Sequence, residues 1–258
     1  MHGIGVPVRN IRTHVLPFVL PGCILSSMAQ SPLSMDTILA TLHGMYKPPR
    51  SFLDWQNPLE LLVATVLSAQ CTDARVNIVT KTLFEKYKTP EDYANADILQ
   101  LQQDIRSCGH YIHKATFINR TAQILLKKYN GRVPDTMEEL IELPGVGRKT
   151  AAVVLHAAFD KREGIAVDTH VLRLSRRLGL TREKTPQRIE IDLMRQTLHE
   201  EWGNLNTLFI SHGRAVCVAR NRKCGQCVFQ NACPSSRTKG KPDLAGIDPS
   251  VSLIHIKK

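Results

Sequence analysis

The chain of 258 residues is poor in aromatic side chains, at 5%, with only two tryptophans. A core of normal size must then be mostly aliphatic, because aromatic residues are the usual large-area contributors. Nowhere do about 18 apolar residues run uninterrupted, which excludes a helical membrane span. Acidic residues are missing from three stretches: residues 1–35, Thr169–Arg182, and Trp202–Pro242. Low-complexity tracts and alternating strand patterns are lacking as well, which argues against fibrous and all-β architectures.

Against these absences stand 34 Lys and Arg residues, 23 Asp and Glu residues and a net charge of +11. Such an excess calls for an anionic partner. Trp202–Pro242 carries Arg214, Arg220, Arg222, Lys223, Arg237, Lys239 and Lys241, and Thr169–Arg182 carries Arg173, Arg176, Arg177 and Arg182. Either run alone reads equally well as a solvated face. Two of them bracketing a cysteine cluster point toward phosphate contact.

Apolar spacing is helical throughout the middle of the chain. Leu59, Leu62, Val63, Val66 and Leu67 form one core-facing stripe, with Pro58 placed to open the helix. Ile118, Ala122, Leu125 and Tyr129 form another, stopped by Asn130-Gly131. Asp135 and Thr136 are suited to cap a helix over Met137–Leu143, and Ala151–Phe159 reads as a buried helix. Asp168 precedes Val171, Leu172, Leu174 and Leu178, a pattern ended by Gly179. The fold class is therefore all-α. Asp160–Gly164 is the best candidate for a linker.

Residues 1–35 hold Arg9, Arg12 and an apolar stretch broken by Pro17 and Pro21. They read as a disordered extension, or as a start placed too early with Met28 or Met35 as the true one. A transit peptide is the alternative. Residues 235–258, rich in Ser, Lys, Gly and Pro, read as a flexible tail.

The sharpest local feature is Leu143-Pro144-Gly145-Val146-Gly147-Arg148-Lys149-Thr150-Ala151 between two helices. Gly145 and Gly147 allow a tight turn and close approach of another molecule, and the unpaired N–H groups of the following helix offer an anion site. A bare helix–helix turn without a ligand is the plainer reading; Arg148 and Lys149 favour phosphate. In the first helical turn beside Arg148, the Lys149 ammonium is disfavoured, which would give a neutral and nucleophilic amine. A lysine that only binds phosphate is the alternative. Asp168 reads as an N-cap whose carboxylate also faces a developing cation, and His170 as a packing residue.

Seven cysteines are unevenly placed. Cys23, Cys71 and Cys108 stand alone, while Cys217, Cys224, Cys227 and Cys233 follow a C-x6-C-x2-C-x5-C spacing. One compact loop with a single C-x2-C is compatible with a cubane iron–sulfur cluster, with zinc remaining open. Arg220, Arg222 and Lys223 would then protrude from the loop.

Taken together, these residues resemble the endonuclease III family of helix–hairpin–helix DNA glycosylases. The resemblance spans roughly Asp36–Pro234. It rests on Leu67-Ser68-Ala69-Gln70, Thr72-Asp73, the hairpin from Leu143 to Ala151, Val167-Asp168-Thr169-His170, His212-Gly213-Arg214 and the four late cysteines. It implies a six-helix barrel domain with the hairpin over residues 51–162. A smaller iron–sulfur cluster domain would be assembled from residues 36–50 and 163–234. It also implies a [4Fe-4S] cofactor on Cys217, Cys224, Cys227 and Cys233, with Lys149 as nucleophile and Asp168 as assisting carboxylate. DNA contacts would come from Gln70, His110, Gly145, Val146, Gly147, Arg148, Arg220, Arg222 and Lys223. Gln70 would fill the space of a flipped nucleotide, and Gly109-His110-Tyr111 would wedge the opposite strand, where many relatives carry an aliphatic residue in place of His110. The implied partner is double-stranded DNA with damaged pyrimidines or abasic sites, acted on by a monomer, cytoplasmic and nucleoid-associated if bacterial. Related adenine-mismatch enzymes lack the lysine and 8-oxoguanine enzymes generally lack the cluster, so neither pattern matches.

Overall fold

A computed structural model describes residues 33–47 and 49–238. The expectations for residues 1–32 and 239–258, including Cys23, Lys239 and Lys241, lie outside the described residues.

Among the described residues there are eleven α-helices and no strand. They are α1 (Met35–Met45), α2 (Pro58–Leu67), α3 (Asp73–Lys86), α4 (Pro90–Ala94), α5 (Ile98–Asp104) and α6 (Tyr111–Tyr129). There follow α7 (Met137–Ile141), α8 (Arg148–Phe159), α9 (Thr169–Leu178), α10 (Pro186–Gln196) and α11 (Trp202–Ala215). Short 3-10 turns lie at Arg106–Cys108, His199–Glu201 and Cys224–Gln226. The all-α reading holds.

Local chemistry explains most helix boundaries. Ser34, Asn57, Thr72, Thr89, Asp97, Thr136 and Asp168 each accept a backbone N–H at a helix start, the donors that a first turn leaves unpaired. Pro58, Pro90 and Pro186 occupy first-turn positions, where a missing N–H costs nothing. Asn130, Asp160 and Gly179 end α6, α8 and α9 in the left-handed conformation. Two boundaries differ from the spacing. Helix α7 stops at Ile141 because the chain must turn into the hairpin, and α8 begins at Arg148, one turn earlier than its apolar run.

The buried apolar residues form two clusters. The first surrounds α2, whose residues Leu61–Leu67 are all buried, and takes in α3 to α8. The second joins α1 to α9, α10 and α11, with Phe229 of the cysteine segment inserted. Both are aliphatic in the main. Helix α1, first in sequence, thus packs with the last helices, and α11 also touches α8 of the first cluster. The connector after α8 is pinned and mostly half-buried, with Asp160 exposed and Gly164 buried: Lys161 Nζ bonds the Asp135 carboxylate at 2.7 Å, and Arg162 Nη2 the Asp160 carboxylate at 3.1 Å.

Where α11 meets α8, Gly203 faces the buried ring of His156. A Cβ at Gly203 would lie 1.9 Å from His156 Nδ1. Alanine in a helix interior normally gains about 1 kcal/mol over glycine. Here overpacking should win, and Gly203→Ala is expected to lose about 1–3 kcal/mol, read as a lower urea midpoint. A raised midpoint would mean that the two helices have room to spare.

Candidate nucleic-acid interface and active site

The hairpin delivers Lys149 to a defined place. Gly145 has φ +78°, and a Cβ there would come 2.7 Å from the Phe117 ring, so glycine is required by both backbone and space. Gly147 begins α8 with no side-chain cap and nothing within 4 Å of its Cβ position. No side chain caps the first N–H groups of α8. Val146 corrects the sequence expectation of a DNA contact: it is 5% exposed within the first core, and its N–H donates to the Leu143 carbonyl at 3.1 Å.

Arg148 departs from the sequence reading. Its Nε donates to Glu190 Oε2 of α10 at 2.7 Å, and its Nη2 reaches the Glu163 carbonyl at 3.5 Å. The guanidinium ties the two cores together instead of facing the cleft beside Lys149.

Lys149 lines a cleft of about 410 Å3 whose walls come from both cores. Gln70, Asp73, Asp168, His170 and Arg214 line the same cleft. The lysine is open to solvent on one side, but the surrounding walls displace much of its water. That desolvation lowers its pKa below the ordinary lysine value, while the carboxylates of Asp168 and Asp73 act in the opposite direction. The direction agrees with the sequence argument, but the cause is burial and not the charge of Arg148.

Asp168 caps α9 from the second core. Its Oδ1 accepts the N–H groups of both His170 and Val171 at 2.8 Å, which leaves Oδ2 for the cleft. His170 is half-buried, with Nδ1 3.0 Å from Arg173 Nη2, and burial lowers its pKa ahead of the nearby arginines. Gly213 is required beside it, since a Cβ would lie 2.5 Å from that nitrogen. Arg173 also donates to the carbonyls of Gly213 and Cys217.

A further pair was not singled out by spacing. Arg214 of α11 bonds the carboxylate of Asp73, the first residue of α3, and its guanidinium lies 4.6 Å from the centre of the Phe52 ring. The motif residues were visible in sequence; their 141-residue separation hid the contact.

At the rim, Gln70 and His110 have φ of +53° and +47° and are joined by Gln70 Oε1 and His110 Nε2 at 3.1 Å. Both side chains are exposed. The two residues assigned to opposite DNA strands thus sit side by side.

Cys217, Cys224, Cys227 and Cys233 line one small cavity with His212, Arg177 and Arg222. Arg177 Nη1 approaches Cys217 Sγ at 3.3 Å, and His212 Nε2 approaches Cys227 Sγ at 3.5 Å. Tyr46 Oη lies 3.1 Å from His212 Nδ1. Burial holds His212 down to about 4, so it is neutral and accepts from Tyr46 while donating toward sulfur. Burial raises the Cys227 thiol to about 11, and the other three cysteines add to the rise. Among the described residues, no three His, Cys, Asp or Glu side chains are gathered tightly enough to hold a metal ion as they stand.

Arg220 and Lys223 are exposed, as the loop spacing suggests. Arg222 corrects that reading: it is half-buried, and its Nε is enclosed beside the cysteine cavity without a partner. Only two of the three charges protrude. No helix among the described residues is long and apolar enough to cross a membrane.

Comparison with known proteins adds the following. Residues 63–197 match the HhH-GPD superfamily base excision DNA repair protein family. The chain is 45% identical to Endonuclease III of Synechocystis sp. over 214 residues, 83% of this chain and 98% of that one. It is 47% identical to Endonuclease III of Bacillus subtilis over 211 residues, covering 81% and 96% of the two chains. A trapped Endonuclease III–DNA covalent intermediate, the estranged-adenine complex, superposes with a TM-score of 0.72 at 45% identity, covering 78% of this chain and 92% of that chain.

The cleft electrostatics are testable by titration. NMR of isotopically methylated lysines should show the Lys149 amine losing its proton below the ordinary value of 10.5. Because Asp168 raises that pKa, Asp168→Asn should move it lower still, while an amide in that position still caps the helix. An upward shift in the variant would contradict the arrangement.

Proposed function

Because the chain belongs to the HhH-GPD superfamily of base excision DNA repair proteins, within the endonuclease III family, we propose a lysine-based reaction for it. It is a DNA glycosylase and AP lyase. Its substrates, on this reading, are oxidised pyrimidines and abasic sites in duplex DNA. The observation that carries the proposal is the cleft shared by Lys149, with its lowered pKa, and Asp168.

The target nucleotide must leave the base stack before its C1′ can be reached. As the glycosidic bond lengthens, positive charge builds on the sugar ring, and the free Oδ2 of Asp168 stabilises it. The neutral Lys149 amine attacks C1′, and the base departs with the bonding electron pair and takes up a proton. Ring opening gives an iminium between Nζ and C1′. That electron sink acidifies C2′; loss of a C2′ proton then expels the 3′ phosphate and breaks the strand. Water finally hydrolyses the imine and returns the amine.

The groove around the cleft suits a duplex. We assign phosphate contacts to the hairpin N–H groups of Gly145 and Gly147, ahead of α8, and to the exposed Arg220 and Lys223; the Val146 N–H is taken by the Leu143 carbonyl at 3.1 Å. Gln70 and His110 are assigned to the gap and the opposite strand. Arg148 and Arg222 are assigned to structural roles by their partners and burial.

The four cysteines are proposed to hold a [4Fe-4S] cluster. In support, N–H donors from Arg177 and His212 are aimed at two of the sulfurs, which suits electron-rich thiolate ligands. The sulfurs also ring a cavity without closing around one ion of the kind that binds sulfur at about 2.3 Å. Such a cluster supplies covalent crosslinks to a short segment. The division into a barrel domain and a cluster domain is likewise our reading of the two cores.

Borohydride added during turnover should reduce the imine and leave a denaturant-stable protein–DNA adduct that maps to Lys149. Lys149→Ala should lose the adduct and keep duplex affinity. Base release by the unmodified chain without an adduct would replace this mechanism with attack by water, and an adduct on another lysine would move the nucleophile to that residue. Elemental analysis of the native protein should find about four irons per chain and a yellow-brown chromophore; stoichiometric zinc would overturn the cluster.

A further inference from the structure

Lys114 is 4% exposed and lies beneath the loops that carry Gln70 and His110. Its ammonium donates to the carbonyls of Leu67 at 2.8 Å, Ala69 at 2.7 Å and Cys108 at 2.7 Å. An ammonium has three donors, and here all three go to backbone. None of these partners is a carboxylate. Burial lowers the pKa of this lysine, so the charge is kept in a costly place.

The three carbonyls have something in common. Leu67 ends α2 and Cys108 ends the 3-10 turn Arg106–Cys108, positions where carbonyls lose their helical partners and carry the negative end of the helix dipole. Ala69 immediately precedes Gln70. Just beyond these points the backbone enters the left-handed region, at Gln70 with φ +53°, Gly109 with φ +63° and His110 with φ +47°. One side chain therefore holds the stems of two strained loops whose tips, Gln70 and His110, touch at 3.1 Å.

We propose that Lys114 is a positioning residue that locks the Gln70 and His110 loops into a single wedge, so that both tips enter the duplex in register. The proposal rests on Gln70 and His110 being the residues that enter the DNA. A buried lysine serving packing alone would affect every activity alike. A loop lock affects only the steps that open a duplex.

The test uses 2-aminopurine opposite an oxidised pyrimidine, whose fluorescence rises when it is unstacked. The unaltered protein should give the rise and release the base in a single turnover. Lys114→Met keeps the chain length without the donors. It should diminish the rise at least fivefold and slow base release from duplex at least tenfold. Cleavage at an abasic site in single-stranded DNA, which needs no opening, should stay within twofold. Should Lys114→Met fail to fold, Gln70→Ala, His110→Ala and the double variant give the same answer, since both side chains are exposed. A single wedge predicts a double variant scarcely slower than the worse single one; effects that multiply would overturn the lock. A fluorescence rise preserved in Lys114→Met, or equal losses on duplex and single-stranded substrates, would also overturn it. No rise with the unaltered protein would instead remove the DNA-entry reading, and the lock with it.

Discussion

The ion pair between Arg148 and Glu190 sets the frame in which the rest of the molecule is arranged. Glu190 is 5% exposed, and its Oε1 has no hydrogen-bond partner among the described residues, so the charge depends on Arg148. Removing one side of a fully buried pair costs roughly 3–5 kcal/mol; here the Arg148 side chain is 46% exposed, and solvent screening brings the effect below that range. Gly164 makes room for it, since a Cβ there would lie 2.3 Å from Glu190 Oε1. Arg148 is the neighbour of Lys149 and Glu190 belongs to the core that carries Asp168. The pair therefore helps to fix how far apart Lys149 and Asp168 stand. Asp73 and Arg214 form a second tie within the cleft itself.

Between those ties, two opposed effects act on one amine. Removing water from around Lys149 favours the neutral form; Asp168 and Asp73 favour the charged one. Desolvation wins, yet the carboxylates remain close enough to matter. On the mechanism we propose, the balance suits an amine that is neutral when it attacks and becomes a cation afterwards. A lysine without nearby carboxylates would be neutral more readily, but the cation formed afterwards would be left without support.

Much of this was legible in the chain. The caps at Thr136 and Asp168, the stops at Asn130 and Gly179, and the glycine hairpin act within a few residues, so local chemistry reveals them. That the four late cysteines come together was legible in their close spacing, and they line one cavity. Charge in the sequence did not show that Arg148 pairs with Glu190 or that Arg222 is partly enclosed, since the partner is remote in one case and an enclosing cavity in the other. Glu190 stands 42 residues from Arg148, and nothing local marks that contact. Nor does anything local mark Lys114, whose bonds reach back 47 and 45 residues. Periodicity reports which face of a helix is apolar. It is silent on which long polar side chain turns inward.

Arg173 has a consequence beyond packing. A guanidinium has no lone pair to offer, so its 3.0 Å contact requires His170 Nδ1 to accept and leaves the ring proton on Nε2. The same guanidinium is held by the carbonyl of Cys217, at 3.1 Å. The tautomer of an imidazole lining the cleft is thereby written by the backbone of the cysteine loop. The Gly213 carbonyl holds the same guanidinium at 3.2 Å, so only a rearrangement that withdraws both carbonyls frees the ring to exchange its protonated nitrogen, and a donor in the cleft then becomes an acceptor without a single cleft residue being changed.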